Sequence, residues 1–147
     1  KMNPNLDINE NSIIVLRNQG PIGGQGMPES GFLPIPKKLL DKGIRDIVRI
    51  SDARMSGTAY GTIVLHIAPE SHIGGPLSLV KTGDKIKLSL ENKSLDLLVD
   101  KKILSERKSS LKVTEHNSEY DRGYGWLYKE HILQADKGCD FDFLKAK

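Results

Sequence analysis

The sequence predicts a β-rich domain with a few short helices. Six short aliphatic or β-branched runs are each bounded by polar or turn-forming residues, which is the pattern of strands. Glycine and proline recur between these runs and favour turns over long helices. Only three stretches are predicted to be helical, and all three are short.

The first half alternates predicted strands with loops. Residues 18–31 hold five glycines and two prolines, which excludes regular structure there. Pro36 starts a short predicted helix over Lys37–Lys42, and Gly43 ends it where a left-handed residue is expected. The strands of this half are predicted at Ile13–Leu16, Asp46–Ile50 and Thr62–Ile67.

The second half is predicted to begin with an antiparallel meander, because three short apolar runs recur about every ten residues. Asp100 is suited to cap a short helix through Arg107, and Gly123–Ala135 has the apolar spacing of an amphipathic helix that Gly138 ends. The strands of the meander are Leu77–Val80, Lys85–Leu90 and Leu95–Val99, and the polar connections are Lys1–Ser12 and Lys108–Tyr120.

Composition excludes several classes of function. A net charge of +3 with scattered basic residues and only 5% aromatic residues argues against nucleic-acid binding. No apolar run approaches the length of a membrane span, so a soluble protein is expected. The single cysteine, Cys139, excludes an internal disulfide and a cysteine-rich metal site within the chain, and a reducing cytoplasmic setting is expected.

Two glycine-bearing loops each follow a predicted strand and each present one chemically useful side chain. The first, Gly20–Glu29, ends in a carboxylate, and the second, Ile50–Thr58, carries the hydroxyl of Ser56. Carboxylate oxygens are the hard ligands that Mg²⁺ prefers, so Glu29 is a candidate metal ligand. One carboxylate alone binds Mg²⁺ poorly, so further ligands must come from elsewhere.

Ser56 is the candidate catalytic base. A serine hydroxyl is a very weak acid, so it acts as a base only where a metal ion and nearby donors stabilise the alkoxide. Gly57 leaves access beside it, and Thr58 adds a hydroxyl and a backbone N–H that suit a substrate carboxylate. Asp52 and Arg54 flank the base and are expected to pair with each other and shape the loop.

The two loops, in this order, resemble the C-terminal active-site loops of the dihydroxy-acid and sugar-acid dehydratases. The resemblance rests on Gly-Met-Pro-Glu29 and on the Asp-x-Arg-x-Ser-Gly pattern around Ser56, and it extends through Asn11–Pro76. Ser-Gly-Thr-Ala-Tyr-Gly-Thr62 and the tail Gln134–Leu144 are similar to the sugar-acid branch, which favours an aldonate substrate. One departure is Ile22, which stands where the family usually has a lysine.

The resemblance implies an α+β fold: a β-rich, barrel-like domain of the swivelling β/β/α type with short peripheral helices. It implies a hydro-lyase that uses an iron–sulfur cluster and Mg²⁺, with Glu29 as a magnesium ligand and Ser56 as the base. Residues 1–147 are then a single domain, the C-terminal part of a larger enzyme. The resemblance further implies an N-terminal domain, outside this chain, that brings the cluster cysteines, further magnesium ligands and a carbamylated lysine.

The resemblance also sets expectations for the whole protein and leaves alternatives open. The isolated domain is expected to be inactive, its partners being its own N-terminal domain and further copies in a homo-oligomer. One alternative is the dihydroxy-acid dehydratase of branched-chain amino-acid biosynthesis. Another is a non-catalytic module that binds small anions or forms an interface. Cys139, the four histidines and the Tyr124/Trp126/Tyr128 stretch are expected to be structural.

Overall fold

The computed structural model describes residues 6–111 and 120–144 as a mixed α/β arrangement of two small sheets and short helices. The predicted connection Lys108–Tyr120 lies largely outside these residues, as do the first five residues of Lys1–Ser12. The strands are β1 (Ile14–Leu16), β2 (Arg49–Ser51), β3 (Ile63–Val64), β4 (Ile86–Ser89) and β5 (Ser94–Leu97). The α-helices are α1 (Lys37–Leu40), α2 (Lys101–Ser110) and α3 (Gly123–His131), and the 3-10 helices are Ser71–Ile73, Pro76–Leu79, Ala135–Lys137 and Asp142–Leu144.

The first sheet is parallel, with its strands in the order β1-β2-β3. Ile14 pairs with Arg49, and Ile50 pairs with Val15 on one side and Val64 on the other. Because the strands run in the same direction, their carboxyl ends meet at one edge of the sheet, where ligands bind in many α/β proteins. The three segments that follow these strands, including both glycine-bearing loops, therefore start side by side.

The hydrophobic core lies beside this sheet. Leu39 of α1 is fully buried and packs with Ile8 and Ile47. Helix α1 ends two residues before the predicted boundary, and Gly43 has the expected left-handed backbone with φ of 80°. The half-buried side chains that surround this cluster are Ile14, Ile35 and Ile44.

The predicted three-stranded meander is wrong at its first strand. Strands β4 and β5 form an antiparallel hairpin that pairs Ile86 with Leu97, but the preceding apolar run is the 3-10 helix Pro76–Leu79. Proline at its first position fixes φ and lacks the N–H that a strand would need for pairing. The two sheets of the described residues do not close into a barrel, so the fold is mixed α/β, and the barrel-like architecture is not confirmed.

The two longer helices follow the hairpin. Asp100 caps α2 as predicted, its Oδ1 accepting a hydrogen bond of 2.7 Å from Lys102 N. Helix α3 ends at His131, four residues before the predicted boundary, and Gly138 instead ends a 3-10 turn with φ of 84°. Among the described helices, none has the length and apolar character needed to cross a membrane.

Candidate active site

The start of the first loop is fastened by Asp52, which follows β2 and is fully buried. Its carboxylate accepts hydrogen bonds from the backbone N–H groups of Asn18 at 3.2 Å, Gln19 at 3.0 Å and Ser71 at 2.8 Å. The Ser71 hydroxyl donates a further bond of 2.5 Å. The expected pairing of Asp52 with Arg54 is therefore wrong, because this carboxylate joins the first loop to the segment after β3.

The middle of the first loop is fastened by Glu70, which is also fully buried. Its two oxygens accept hydrogen bonds of 2.8 Å each from the N–H groups of Ile22 and Gly23. Gln134 Nε2 donates a third bond of 2.9 Å. A Cβ on Gly20 would lie 2.6 Å from Glu70 Cβ, so only glycine allows this approach. At position 22 Glu70 binds the backbone N–H, so this bond does not depend on the Ile22 side chain.

Arg54 joins the first loop to the second. Its Nε donates to the carbonyl of Met27, its Nη1 lies 3.3 Å from Glu29 Oε1, and its own carbonyl accepts from Gly31 N at 2.8 Å. Since Ser56 lies two residues after Arg54, the structure brings the loop that carries Glu29 against the loop that carries Ser56. The Arg54 and Glu29 side chains are both about half exposed, at 46% and 49%. Such a pair typically contributes about 0.2–1 kcal/mol, so the Glu29 carboxylate is free to exchange Arg54 for a cation.

Ser56 is half-buried in a tight turn. Its Oγ lies 3.0 Å from Thr58 Oγ1 and accepts a long bond of 3.4 Å from Thr58 N. Within the described part of the chain, these bonds to Thr58 are the hydrogen bonds of the Ser56 hydroxyl. Gly57 is exposed, and a Cβ placed on it would meet nothing within 4 Å, so the space beside Ser56 is open.

The segments flanking this turn are held by Arg49, whose side chain is 2% exposed. Its guanidinium donates to Leu33 O at 2.8 Å, Asp46 Oδ1 at 2.9 Å and Tyr60 O at 3.4 Å. Asp46 also accepts from the backbone and the hydroxyl of Thr62. The hydroxyl bond from Thr62, together with the charge of Arg49, holds the pKa of Asp46 below its ordinary value. Arg49 therefore connects Tyr60, which follows the Ser56 turn, to Leu33, which follows the first loop.

An open groove of about 450 Å³ lies next to this arginine. Tyr60 on its rim is 78% exposed and Phe32 is 44% exposed, which leaves aromatic surface beside the second loop. The groove is lined by Phe32, Pro34, Ile35, Leu40, Arg45, Arg49 and Tyr60.

The side chains that could ligate a metal determine which cofactors this chain can bind. Among the described residues, no three histidine, cysteine, aspartate or glutamate side chains cluster as a metal site. Glu29 fits the role of one magnesium ligand among others supplied from elsewhere, because its carboxylate is accessible. Cys139 does not fit an iron–sulfur cluster: its Sγ lies 3.2 Å from Met27 Sδ, and burial, with a smaller effect of Glu70, raises the pKa of its thiol. A protonated, single thiol cannot serve as the cluster's ligand set.

Sequence comparison gives the family. A family model described as "Dihydroxy-acid/6-phosphogluconate dehydratase C-terminal" matches residues 1–139. The chain belongs to this family. The predicted family is thereby confirmed, by a match that includes both loops.

Named relatives divide by substrate class. The domain is 50% identical to a 6-deoxy-6-sulfo-D-gluconate dehydratase of Pseudomonas putida over 143 residues, which is 97% of this chain and 24% of the relative. It is 50% identical to an L-arabinonate dehydratase of Rhizobium leguminosarum over 145 residues, again 97% of this chain and 24% of the relative. A dihydroxy-acid dehydratase of Methanoregula boonei is 42% identical over 105 residues, which is 71% of this chain and 19% of the relative. The chain thus spans about a quarter of the length of the curated sugar-acid dehydratases it matches.

Three residues that shape the site were missed by sequence reasoning: Glu70, Tyr128 and Gln134. Glu70 and Gln134 carry no local signal, because Glu70 binds the first loop 48 positions earlier and Gln134 binds Glu70 64 positions earlier. Tyr128 was expected to pack, yet its hydroxyl bonds to two backbone groups of the first loop. For Asp52 a signal did exist, since it directly follows a buried parallel strand, the usual position of functional side chains in α/β sheets.

Proposed function

We propose that the protein carrying this domain is a hydro-lyase that dehydrates a sugar acid to a 2-keto-3-deoxy acid. The observation that carries this proposal is the meeting of the Glu29 and Ser56 loops at one edge of a parallel sheet, joined by Arg54. The substrate class is an aldonate such as arabinonate, xylonate or gluconate. It is supported by the higher identity to sugar-acid dehydratases, 50% against 42% for a dihydroxy-acid dehydratase.

Ser56 is the proposed base that takes the proton from the carbon next to the substrate carboxylate. The N–H of Thr58 donates to Ser56 Oγ, and its hydroxyl, 3.0 Å away, can donate as well, so two donors stabilise the deprotonated oxygen. The open space at Gly57 lets a substrate reach Ser56, and Gly57 and Thr58 are the proposed substrate-binding residues. Loss of the proton and of the 3-hydroxyl as water gives an enol, which tautomerises to the keto acid.

Glu29 is the proposed magnesium ligand of this chain. When bound, Mg²⁺ supplies Lewis-acid stabilisation of the negative charge that develops beside the substrate carboxylate. Arg54 keeps Glu29 oriented toward the second loop and releases it at little cost. The described residues do not fit an iron–sulfur cluster, so its ligands belong in our proposal to an N-terminal domain, and expulsion of the 3-hydroxyl is assigned to no residue here.

The proposal includes two protein partners. The exposed aromatic rim of the groove, Phe32 and Tyr60, supports a face that the N-terminal domain covers. The full-length enzyme is proposed to be a homo-oligomer, and the barrel-like swivelling architecture remains a prediction for residues 1–147.

The test is an assay of the full-length protein, loaded with its cluster and Mg²⁺, on a panel of aldonates and on dihydroxy-isovalerate. One aldonate should be turned over, and Ser56→Ala should lower kcat by about a thousandfold because the base is lost. Ser105→Ala, which removes an exposed hydroxyl on α2, is the matched control and should leave kcat unchanged. Circular dichroism and the cluster absorbance should be the same in all three proteins.

Each other outcome points to one alternative. Preferred turnover of dihydroxy-isovalerate would assign the protein to branched-chain amino-acid biosynthesis. No turnover of any compound by cluster-loaded protein would favour the non-catalytic module. Full activity of Ser56→Ala would remove Ser56 from the mechanism.

A further inference from the structure

Tyr128 of α3 holds the first loop from outside. Its hydroxyl lies 3.0 Å from Pro21 O, to which it donates, and accepts a hydrogen bond of 3.0 Å from Gly26 N. One oxygen thus bridges two backbone groups that begin and end the glycine-rich turn. The contact is long-range, since Tyr128 lies 102 positions after Gly26.

Apart from Tyr128, the end of the turn at Gly26 is held through its neighbour Met27, which is buried and whose N–H donates a bond of 2.7 Å to Gly24 O. Gly26 is exposed, has φ of 77°, and a Cβ on it would meet nothing within 4 Å. The buried carboxylates of Asp52 and Glu70 fasten the loop only as far as Gly23. From Gly26 the chain runs through Met27 and Pro28 directly to Glu29. The Tyr128 hydroxyl is therefore the side-chain anchor of the turn itself, and Arg54 binds the Met27 carbonyl between this turn and Glu29.

The hydroxyl remains a donor under ordinary conditions. Burial raises the pKa of Tyr128, and the opposing effect of the Gly26 N–H bond is smaller. The proton that reaches Pro21 O is therefore retained throughout the neutral range. Pro21 itself is fully buried, so its carbonyl has little access to water in place of this bond.

We propose that Tyr128 is a positioning residue: its hydroxyl fixes the turn Pro21–Gly26 and so sets the Glu29 carboxylate for the metal ion. This inference rests on the proposed role of Glu29 as a magnesium ligand. Tyr128 touches neither substrate nor metal and acts through the backbone of the loop. Outer residues that orient metal ligands are known to change metal affinity when they are replaced.

The experiment uses the full-length protein with three variants: Tyr128→Phe, Tyr124→Phe and Glu29→Gln. Tyr128→Phe removes only the bridging oxygen, and Tyr124→Phe removes the same atom from a side chain on the same helix that is 75% exposed. Two readouts are independent of activity. Hydrogen exchange followed by mass spectrometry reports on the peptide over 20–29, and Mn²⁺ titration followed by electron paramagnetic resonance reports on metal affinity.

In Tyr128→Phe, amide exchange in the 20–29 peptide should rise about fivefold, because its anchor is lost. Mn²⁺ affinity should fall about three- to tenfold, less than the loss in Glu29→Gln. Exchange in the β2 peptide should stay unchanged, which separates a local effect from unfolding. Tyr124→Phe should match the unaltered protein in every readout.

The results that overturn the inference differ from those that overturn the proposed function. If Glu29→Gln loses Mn²⁺ affinity while Tyr128→Phe does not, the positioning role is wrong and the metal assignment stands. Faster amide exchange in Tyr128→Phe without a change in Mn²⁺ affinity also refutes the positioning role, because the bond would then stabilise the loop without affecting the metal site. If Glu29→Gln keeps its Mn²⁺ affinity, the metal assignment is wrong, and the role of Tyr128 fails with it.

Discussion

The two halves of the chain are held together in different ways. Among the described residues, every buried one lies between Ile8 and Leu77, and those after residue 80 are half-buried or exposed. The first half also buries three charged side chains, Arg49, Asp52 and Glu70, with their charged or polar ends bonded mainly to backbone. Helices α2 and α3 in the second half bury no residue completely.

This difference shows how a loop without regular structure becomes rigid. A buried carboxylate that accepts several N–H groups is costly to disturb, since each donor would be left without a partner. Asp52 and Glu70 do this for the first loop, where a strand or helix would have used its own backbone bonds. The second half contacts the loop and Glu70 through Tyr128, Gln134 and Cys139, and its own described residues are half-buried or exposed.

The largest expected effect tests whether the core belongs to the first half alone. Leu39→Ala should lower the free energy of unfolding by about 3 kcal/mol, because it empties a fully buried site. Ile103→Ala on α2, at a side chain 44% exposed, should cost less than about 1 kcal/mol. Urea unfolding measures both, as a change of midpoint at unchanged slope. Similar losses in the two variants would show that α2 is packed as tightly as α1.

The next effect tests the buried carboxylates. Asp52→Asn keeps the size of the side chain but replaces one acceptor oxygen with an NH₂ group that faces N–H donors. A loss of about 2 kcal/mol is expected, together with faster hydrogen exchange at Asn18 and Gln19. Asp96→Asn is the control, since its exposed carboxylate accepts from Ser94 Oγ on the hairpin, and it should cost less than about 0.5 kcal/mol. Equal losses of stability in Asp52→Asn and Asp96→Asn would mean that the buried bonds of the Asp52 carboxylate stabilise the fold no more than an exposed bond does.

The secondary-structure elements that were predicted correctly from the sequence are those determined by residues close together in the chain. Apolar runs indicated β1, β2 and β3, and the Asp100 cap of α2 followed from a single side chain before a helix. The short apolar run at Leu77–Val80 was misassigned, since such a run fits a strand or a helical turn equally well. Pro76 before it was the clue to the turn.

What sequence could not predict are contacts between residues far apart in the chain. Asp52 binds a donor 34 positions earlier, and the bonds from Glu70 to Ile22 and Gln134 span 48 and 64 positions. No periodicity encodes such pairs. The parallel pairing of β1 with β2 was also unforeseen, although it explains why the Glu29 and Ser56 loops meet. The roles of Glu29 and Ser56 stay predictions drawn from family motifs.

The smallest effect concerns a partly buried ion pair that joins α2 to the turn before β4. Arg107 Nη1 and Nη2 lie 2.5 and 2.9 Å from the two oxygens of Asp84. The hydrogen bonds from Arg107 hold the pKa of Asp84 below its ordinary value. Since the folded-state pKa is the lower one, the pair stabilises the fold above about pH 4, and this stability is lost as the pH falls through the folded-state pKa.

Asp84→Asn should therefore be less stable than the unaltered chain at pH 7, by less than about half the loss expected for Asp52→Asn. The difference should shrink as the pH is lowered to 3, which urea midpoints across this range would measure. Asp136→Asn, at an exposed carboxylate 3.6 Å from Lys137, controls for the loss of one surface charge. If the stability difference between Asp84→Asn and the unaltered chain is constant from pH 7 to pH 3, packing and not the Asp84–Arg107 ion pair holds α2 to the hairpin. The second half would then resemble the first half more closely than its exposed surface suggests.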